Sequence, residues 1–229
     1  MAQELESTEM LRSDFINNYS HEFKTPIVSI AGLAKVLKRG NLSREEQEQY
    51  LSAIEEESMR LSYMATNVLS LTKVENQTIL SDVSEYNLSE QIRSCMLLLE
   101  NKWSKRDIEL QLDFGEHMIC ANEELLKQVW INLLDNAVKF TPDGHTIQVR
   151  ISETDYRIAV DVINTGIEIP QESLPKIFNK FYQADESHAT QGNGVGLAIV
   201  KRIAELHGGR VSVTSENEVT AFTVELPQN

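Results

Sequence analysis

Three short stretches carry side chains able to do chemistry. In Ser20-His21-Glu22-Phe23-Lys24-Thr25-Pro26 a histidine is followed at once by a glutamate and four residues later by a threonine. A neutral imidazole is a nucleophile near pH 7, and a carboxylate beside it can orient one ring nitrogen and accept its proton. Adjacent helical residues do not face each other, so Glu22 must reach round with its long side chain, whereas Thr25 lies one turn along on the face of His21. Pro26 has no amide to bond to residue 22 and predicts a kink beside His21. A solvated surface histidine near an incidental proline fits the same residues and is the better reading of the His-Glu pair alone; the mid-helix proline, in a seam that otherwise stays in register, brings the two readings level.

In the second stretch, Val129 to Phe140, Asn132 and Asn136 stand four apart in an otherwise apolar helix and share one face. Burying unpaired amides costs about 1–3 kcal/mol each, so both need partners. Carboxamide oxygens suit Mg2+, a hard cation that keeps several waters and binds beside phosphates. Lys139, one turn from Asn136, adds a cation on that side. The plainer alternative is a solvated face bearing two amides and a lysine. The third stretch, Gly192-Asn193-Gly194-Val195-Gly196-Leu197, runs straight into an apolar helix. Such a start offers free amides and a positive dipole end to an anion, and glycines let a ligand approach the backbone. A dinucleotide fold needs a strand directly upstream. Gln183 to Gln191 is too polar for a buried parallel strand, which excludes that fold.

Two kinds of periodicity must position these groups. Up to about residue 75 the chain reads helical. Ile16, Phe23, Ile30 and Leu37 form one heptad row, and Ser20, Ile27 and Ala34 form the other. Arg39-Gly40-Asn41 supplies a turn, and Ser43-Arg44-Glu45-Glu46 is a capping box that restarts a helix with its own seam at Tyr50, Ile54, Leu61, Met64, Val68 and Leu71. A lone hairpin leaves half of each seam in water, which predicts a homodimeric four-helix bundle. Packing against the second half of the chain is the alternative. After a linker over 76–86, residues 87–229 alternate between helix and strand. Helices are expected over Leu88–Lys105, Glu123–Phe140 and Val195–His207. Strands are expected near Ile108–Asp113, Thr146–Glu153, Arg157–Asn164, Arg210–Ser215 and Ala221–Leu226, with a polar, mobile loop from Asn179 to Asn193. Helices interleaved with mostly antiparallel strands make an α+β sandwich.

Composition narrows the function. The 229 residues carry 21 Lys+Arg against 35 Asp+Glu, a formal net charge of −14, which excludes a generic nucleic-acid binder. No apolar run approaches the ~20 residues of a membrane span, and the N-terminus has no signal-peptide pattern. The sequence as it stands reads as soluble and intracellular. Cys95 and Cys120 form neither a zinc pattern nor a disulfide framework, and both sit in apolar surroundings that suggest buried thiols.

In this order the motifs resemble the catalytic core of a two-component sensor histidine kinase, over nearly the whole chain from Met10 to Pro227. His21 to Pro26 is similar to that family's phospho-acceptor box, and Asn132 to Thr141, including Lys139 and Phe140, to its Asn box. Phe178-Asn179-Lys180-Phe181-Tyr182 is similar to the phenylalanine box of the ATP lid, and Gly192 to Leu197, with Gly194 and Gly196, to the second glycine box. The resemblance implies a dimerising phosphotransfer hairpin followed by a Bergerat-type ATP-binding fold. His21 would take the γ-phosphoryl group of ATP with Glu22 as base, and an Asp of a response-regulator receiver domain would then accept it. Thr25 matches the position that places the hydrolytic water when such kinases dephosphorylate their receiver. Asn136 would be the principal Mg2+ ligand, assisted by Asn132. Gyrase and heat-shock chaperone ATPases carry a glutamate at the position of Asn132; an amide cannot serve as that base, so bound ATP should wait for the histidine. The resemblance also implies a cytoplasmic location, as the cytosolic part of a membrane-bound receptor reached through an upstream segment.

The departures from the family pattern cluster at the nucleotide. Its first glycine box usually reads Asp-x-Gly-x-Gly, the Asp accepting from the adenine amino group; here it reads Asn164-Thr165-Gly166-Ile167-Glu168. The Asn164 oxygen can accept, but without the charge of a carboxylate. Glu168 stands where a glycine is usual, at a cost of ~1 kcal/mol or more if its φ is positive, and brings negative charge near the lid. Gln183 replaces an arginine that grips the triphosphate in many relatives, and Glu218-Val219-Thr220-Ala221 replaces the last glycine box. These changes predict weakened nucleotide affinity. They also keep open a second function: a signalling scaffold with a degenerate nucleotide site, acting mainly as a phosphatase or docking partner.

Overall fold

The computed structural model describes residues 23–180, 182–183 and 194–228. The chain divides into two compact units, Met1–Leu69 and Ser70–Asn229. In the first, helix α1 is described over 23–39 and runs through Pro26 without ending there. The turn falls on Gly40 and Asn41, both left-handed at φ +71° and +62°. Helix α2, Arg44–Asn76, then starts from the expected capping box. Ser43 Oγ accepts from the Glu46 amide at 3.2 Å, and Glu46 Oε2 accepts from the Ser43 amide at 2.8 Å. Ile27, Val28, Leu51, Met59 and Leu69 of this unit stand exposed in the single chain.

The second unit is built on a five-stranded mixed sheet of order β2-β4-β5-β7-β6: β2 Ile108–Asp113, β4 His145–Thr154, β5 Arg157–Thr165, β6 Arg210–Glu216 and β7 Val219–Pro227. All its pairings are antiparallel except β2 with β4, which run parallel. Helices α3 (Leu88–Leu98), α5 (Glu123–Phe140) and α6 (Gly196–Leu206) bring apolar faces to one continuous core with the inward rows of β4, β5 and β7. Leu126, Leu133, Trp130, Ile199 and Ile203 meet Ile147, Ile158, Val160 and Val224 there, all nearly fully buried. No described helix is long and apolar enough to cross a membrane.

Three expectations need correction. The helix expected over Leu88–Lys105 breaks at Leu99 (φ −96°, ψ 3°), leaving α3 and a short α4, Glu100–Trp103. The break turns Trp103 back so that its indole N–H donates to the Met96 carbonyl at 3.2 Å. Two four-residue strands, β1 (Ser84–Asn87) and β3 (Met118–Ala121), pair antiparallel in a small second sheet that the sequence reading missed. Cys95 is buried as expected, but Cys120 is exposed, because strand alternation in β3 sends Ile119 and Ala121 inward and Met118 and Cys120 outward.

Candidate active site

Helix α5 carries the amide pair, and both its ends are fastened. Asn122 caps the start, its Oδ1 accepting from Leu125 N at 2.9 Å and its Nδ2 donating to Ser81 O at 2.7 Å. Its own backbone N–H donates to His207 Nε2 at 3.2 Å, while Nδ1 of that imidazole meets Ile203 O at 2.8 Å. Burial holds His207 below the usual histidine range, so the neutral ring is the resident form. At the other end, Arg106 spreads one guanidinium over three acceptors: Val138 O at 2.7 Å, Thr141 O at 2.6 Å and Asp143 Oδ1 at 2.8 Å. The last carbonyls of a helix lack intrahelical donors, and a cation at that end also complements the dipole. Sequence reasoning did not single out Arg106, whose partners lie more than thirty residues away.

The amides sit between these clamps. Asn132 Nδ2 donates to Gln128 O at 2.8 Å. Its Oδ1 lies 2.6 Å from the place a Cβ on Gly196 would occupy. The Asn box and the second glycine box, separated by more than sixty residues in the chain, therefore meet at this contact, and the side chain fills the space glycine leaves. Gly194, just before α6, has φ +63°, which suits a glycine there. Leu197 packs partly buried against the core. Asn136, half-buried, follows one turn along α5 on the same face. Lys139 places its ammonium 4.7 Å from the centroid of the Phe140 ring. Burial pushes this lysine below its ordinary range, with Lys102 adding repulsion and Asp135 opposing both.

Asn164 closes the inward row of β5 after Ile158, Val160 and Val162. It is 3% exposed, and its Nδ2 is buried with no hydrogen-bond partner. In register it faces Ile147 on one side and Thr220 on the other. Thr220 in turn pairs with Ser215, their hydroxyls 2.7 Å apart. Beyond it, Gly166 has φ +118°, and a Cβ there would clash with the ring of Pro142, the residue after the α5 cap. The strain expected at Glu168 is not found: it is not among the residues with positive φ. Its carboxylate instead accepts the Glu218 amide at 2.5 Å, while Gly166 N–H donates to Glu218 O at 2.8 Å. With Asn217 and Glu218 both left-handed (φ +53° and +59°), the β6–β7 turn is sewn to the first glycine loop.

Lys180 forms an ion pair with Glu75, near the end of α2. Phe178 anchors the same segment by an edge-to-face contact with Phe222, centroids 6.4 Å apart, and Tyr182 donates its hydroxyl to Ser173 Oγ at 2.9 Å. Thr25 is exposed on α1. His21, Glu22, Phe181 and Gly192 lie outside the described residues, as does most of the loop expected from Asn179 to Asn193.

A two-layer fold with an amide-bearing helix against a glycine-opened one, preceded by a helical hairpin, defines a class. The chain matches the family model of the His Kinase A (phospho-acceptor) domain over residues 11–77. It matches that of the histidine kinase-, DNA gyrase B- and HSP90-like ATPases over residues 121–229. It is 32% identical to the sensor histidine kinase CusS of Escherichia coli O6:H1, across 99% of this chain and 48% of that one. The catalytic domain of histidine kinase ThkA superposes with TM-score 0.58 at 31% identity, covering 64% of this chain and 96% of that one. ThkA in complex with response regulator protein TrrA superposes with TM-score 0.79 at 26% identity, covering 98% of this chain and 64% of that one. The chain belongs to the histidine kinases: it is a kinase core with a phospho-acceptor domain followed by an ATP-binding domain. It spans about half the length of CusS.

Proposed function

We propose that this chain binds Mg2+-ATP where α5 meets the start of α6, phosphorylates His21, and hands the phosphoryl group to an Asp of a response-regulator receiver domain. The observation that carries the reading is the Asn132–Gly196 contact, which joins two nucleotide motifs in a chain that also carries a phospho-acceptor domain. The residues suit the ligand. Asn164 holds out an unpaired buried amide for a base, and Asn136 and Asn132 offer amide oxygens to Mg2+. Among the described residues no cluster of three His, Cys, Asp or Glu side chains could hold a metal. Amide donors fit an ion that keeps its waters and takes its other ligands from phosphates. Lys139 and Lys180 would supply cations, and Phe140, Gly166, Gly194 and Leu197 line the same motifs.

ATP would supply the phosphoryl group. His21 would supply the ring nitrogen that bonds to the γ-phosphorus as the bond to the bridging oxygen breaks and ADP leaves. Glu22 would take the proton the ring gives up, and Thr25 would position the water that hydrolyses the phosphoryl group from the receiver Asp, releasing phosphate. In this reading residues 1–75 form the phosphotransfer hairpin, 76–86 the connector and 87–229 the ATP-binding fold. Ile27 of the predicted seam is exposed, and with Val28, Leu51, Met59 and Leu69, which lie outside that seam, it offers apolar surface that a homodimeric four-helix bundle would cover. ThkA, solved with a response regulator, supports a receiver as partner. A location as the cytosolic part of a membrane receptor belongs to the same proposal.

ATP labelled at the γ position tests it. The expected result is an acid-labile, base-stable adduct that His21→Ala abolishes; a label surviving that change would overturn the assignment. A second reading, a scaffold that acts chiefly as a phosphatase, is favoured by the amide at position 164 and by Lys180 being paired with Glu75. It requires receiver dephosphorylation that Thr25→Ala abolishes, with no labelling of His21; saturable, Mg2+-dependent binding of a fluorescent ATP analogue would count against it.

A further inference from the structure

The inward-facing polar row that ends the sheet is Asn164, Thr220 and Ser215. Two of its members are satisfied within the chain. Ser215 Oγ lies 2.7 Å from Thr220 Oγ1 and accepts from Ile169 N at 2.9 Å, while Thr220 Oγ1 reaches Ile167 O at 3.5 Å. Asn164 alone keeps a buried donor, Nδ2, with nothing to give it to. Donors are seldom orphaned in an interior unless a ligand or water completes them. A carboxylate at this position would have acceptors only, whereas a carboxamide has one acceptor and one donor side by side.

That difference changes which base edge the site can read. Adenine offers an amino donor at C6 beside an acceptor at N1. Hypoxanthine offers an oxygen acceptor at C6 beside an N–H donor at N1, and differs from adenine only there. A carboxylate pairs with the amino group of the first and repels the oxygen of the second. An amide pairs with either, because a half-turn about its last side-chain bond exchanges donor and acceptor. We infer that Asn164 makes this site accept 6-oxopurine nucleoside triphosphates alongside ATP, so that residue 164 sets base selectivity. The inference rests on the proposed ATP site, with Asn164 as its base contact.

The test is displacement of a fluorescent ATP analogue from the full chain by Mg2+-ATP and by Mg2+-inosine triphosphate, in the natural protein and in Asn164→Asp. Discrimination by a bidentate base contact spans about 5- to 150-fold. The natural chain is expected to bind the two nucleotides within about tenfold of each other, and Asn164→Asp to widen the ratio at least about tenfold in favour of ATP. ATP binding with inosine triphosphate rejected by the natural chain would overturn this inference and leave the ATP site standing. An unchanged ratio in Asn164→Asp would overturn it too. Failure of ATP itself to displace the analogue would overturn the ATP site and the inference together.

Discussion

Asn122 and Asn164 are the same side chain, both buried against the same layer of helices, and the fold treats them oppositely. Asn122 spends its oxygen on Leu125, its amide nitrogen on Ser81 and its backbone N–H on His207. Asn164 keeps its amide nitrogen unpaired. Asn122 is saturated by the chain and holds the structure together; in the proposed reading Asn164 is left open for a nucleotide base. Stability and binding should therefore separate cleanly between the two.

The largest effect is expected at the saturated end. Asn122→Ala removes a helix cap and leaves the Ser81 carbonyl without its donor, a loss of about 2–3 kcal/mol. Urea unfolding of the chain followed by circular dichroism measures it, and a loss below about 0.5 kcal/mol would erase the contrast. Arg106→Ala strips three acceptors at the other end of α5 and should cost about 2 kcal/mol by the same measurement, with nucleotide affinity falling as the Asn box loosens. Asn164→Ala should invert the pattern. Relief of the orphan donor offsets the small cavity, so stability changes by less than about 1 kcal/mol. Binding of a fluorescent ATP analogue should weaken about tenfold.

Two smaller effects sharpen the picture. Because burial depresses His207 in the folded chain, its neutral ring contributes stability that is fully present above the ordinary value of 6.5 and lost as the pH falls below it. Unfolding midpoints recorded from pH 7.5 to 5 should fall, and His207→Gln, which can still accept from Asn122, should flatten that part of the slope. Glu75→Gln should release Lys180 and raise nucleotide affinity about two- to threefold, a rim ion pair being weak. No change in titration would mean that Lys180 does not serve the nucleotide.

What the sequence made legible follows the range of the interactions. The α2 capping box, the Asn87 cap of α3, whose Oδ1 accepts from Glu90 N at 3.0 Å, and the amphipathic α5 and α6 are set by residues within a few positions of each other. Their spacing is visible in one dimension. β1 and β3 have only four residues each, too few to show alternation, and their identity lies in pairing with a partner more than thirty positions away. The run Met96-Leu97-Leu98-Leu99 reads as an unbroken helix because apolarity does not report the turn at Leu99. The two motifs that meet at Asn132 and Gly196 were recognisable from local pattern. The grip of Arg106, the pairing of Glu75 with Lys180 and the placement of Glu168 against the β6–β7 turn depend on contacts between distant segments. Glu168 is instructive: the sequence showed a glycine missing, and the fold shows the substitute stitching a turn.

The last residues of helix α2, from Ser70 to Asn76, belong to the second unit. Leu71 and Val74, 2% and 0% exposed, belong to the same core as Trp130 and Ile199, and Arg202 donates to Gln77 O at 2.8 Å just beyond the helix. A nucleotide-binding fragment cut at residue 76 would leave a greasy socket where those two side chains had been, whereas one begun at Ser70 would carry its own plug.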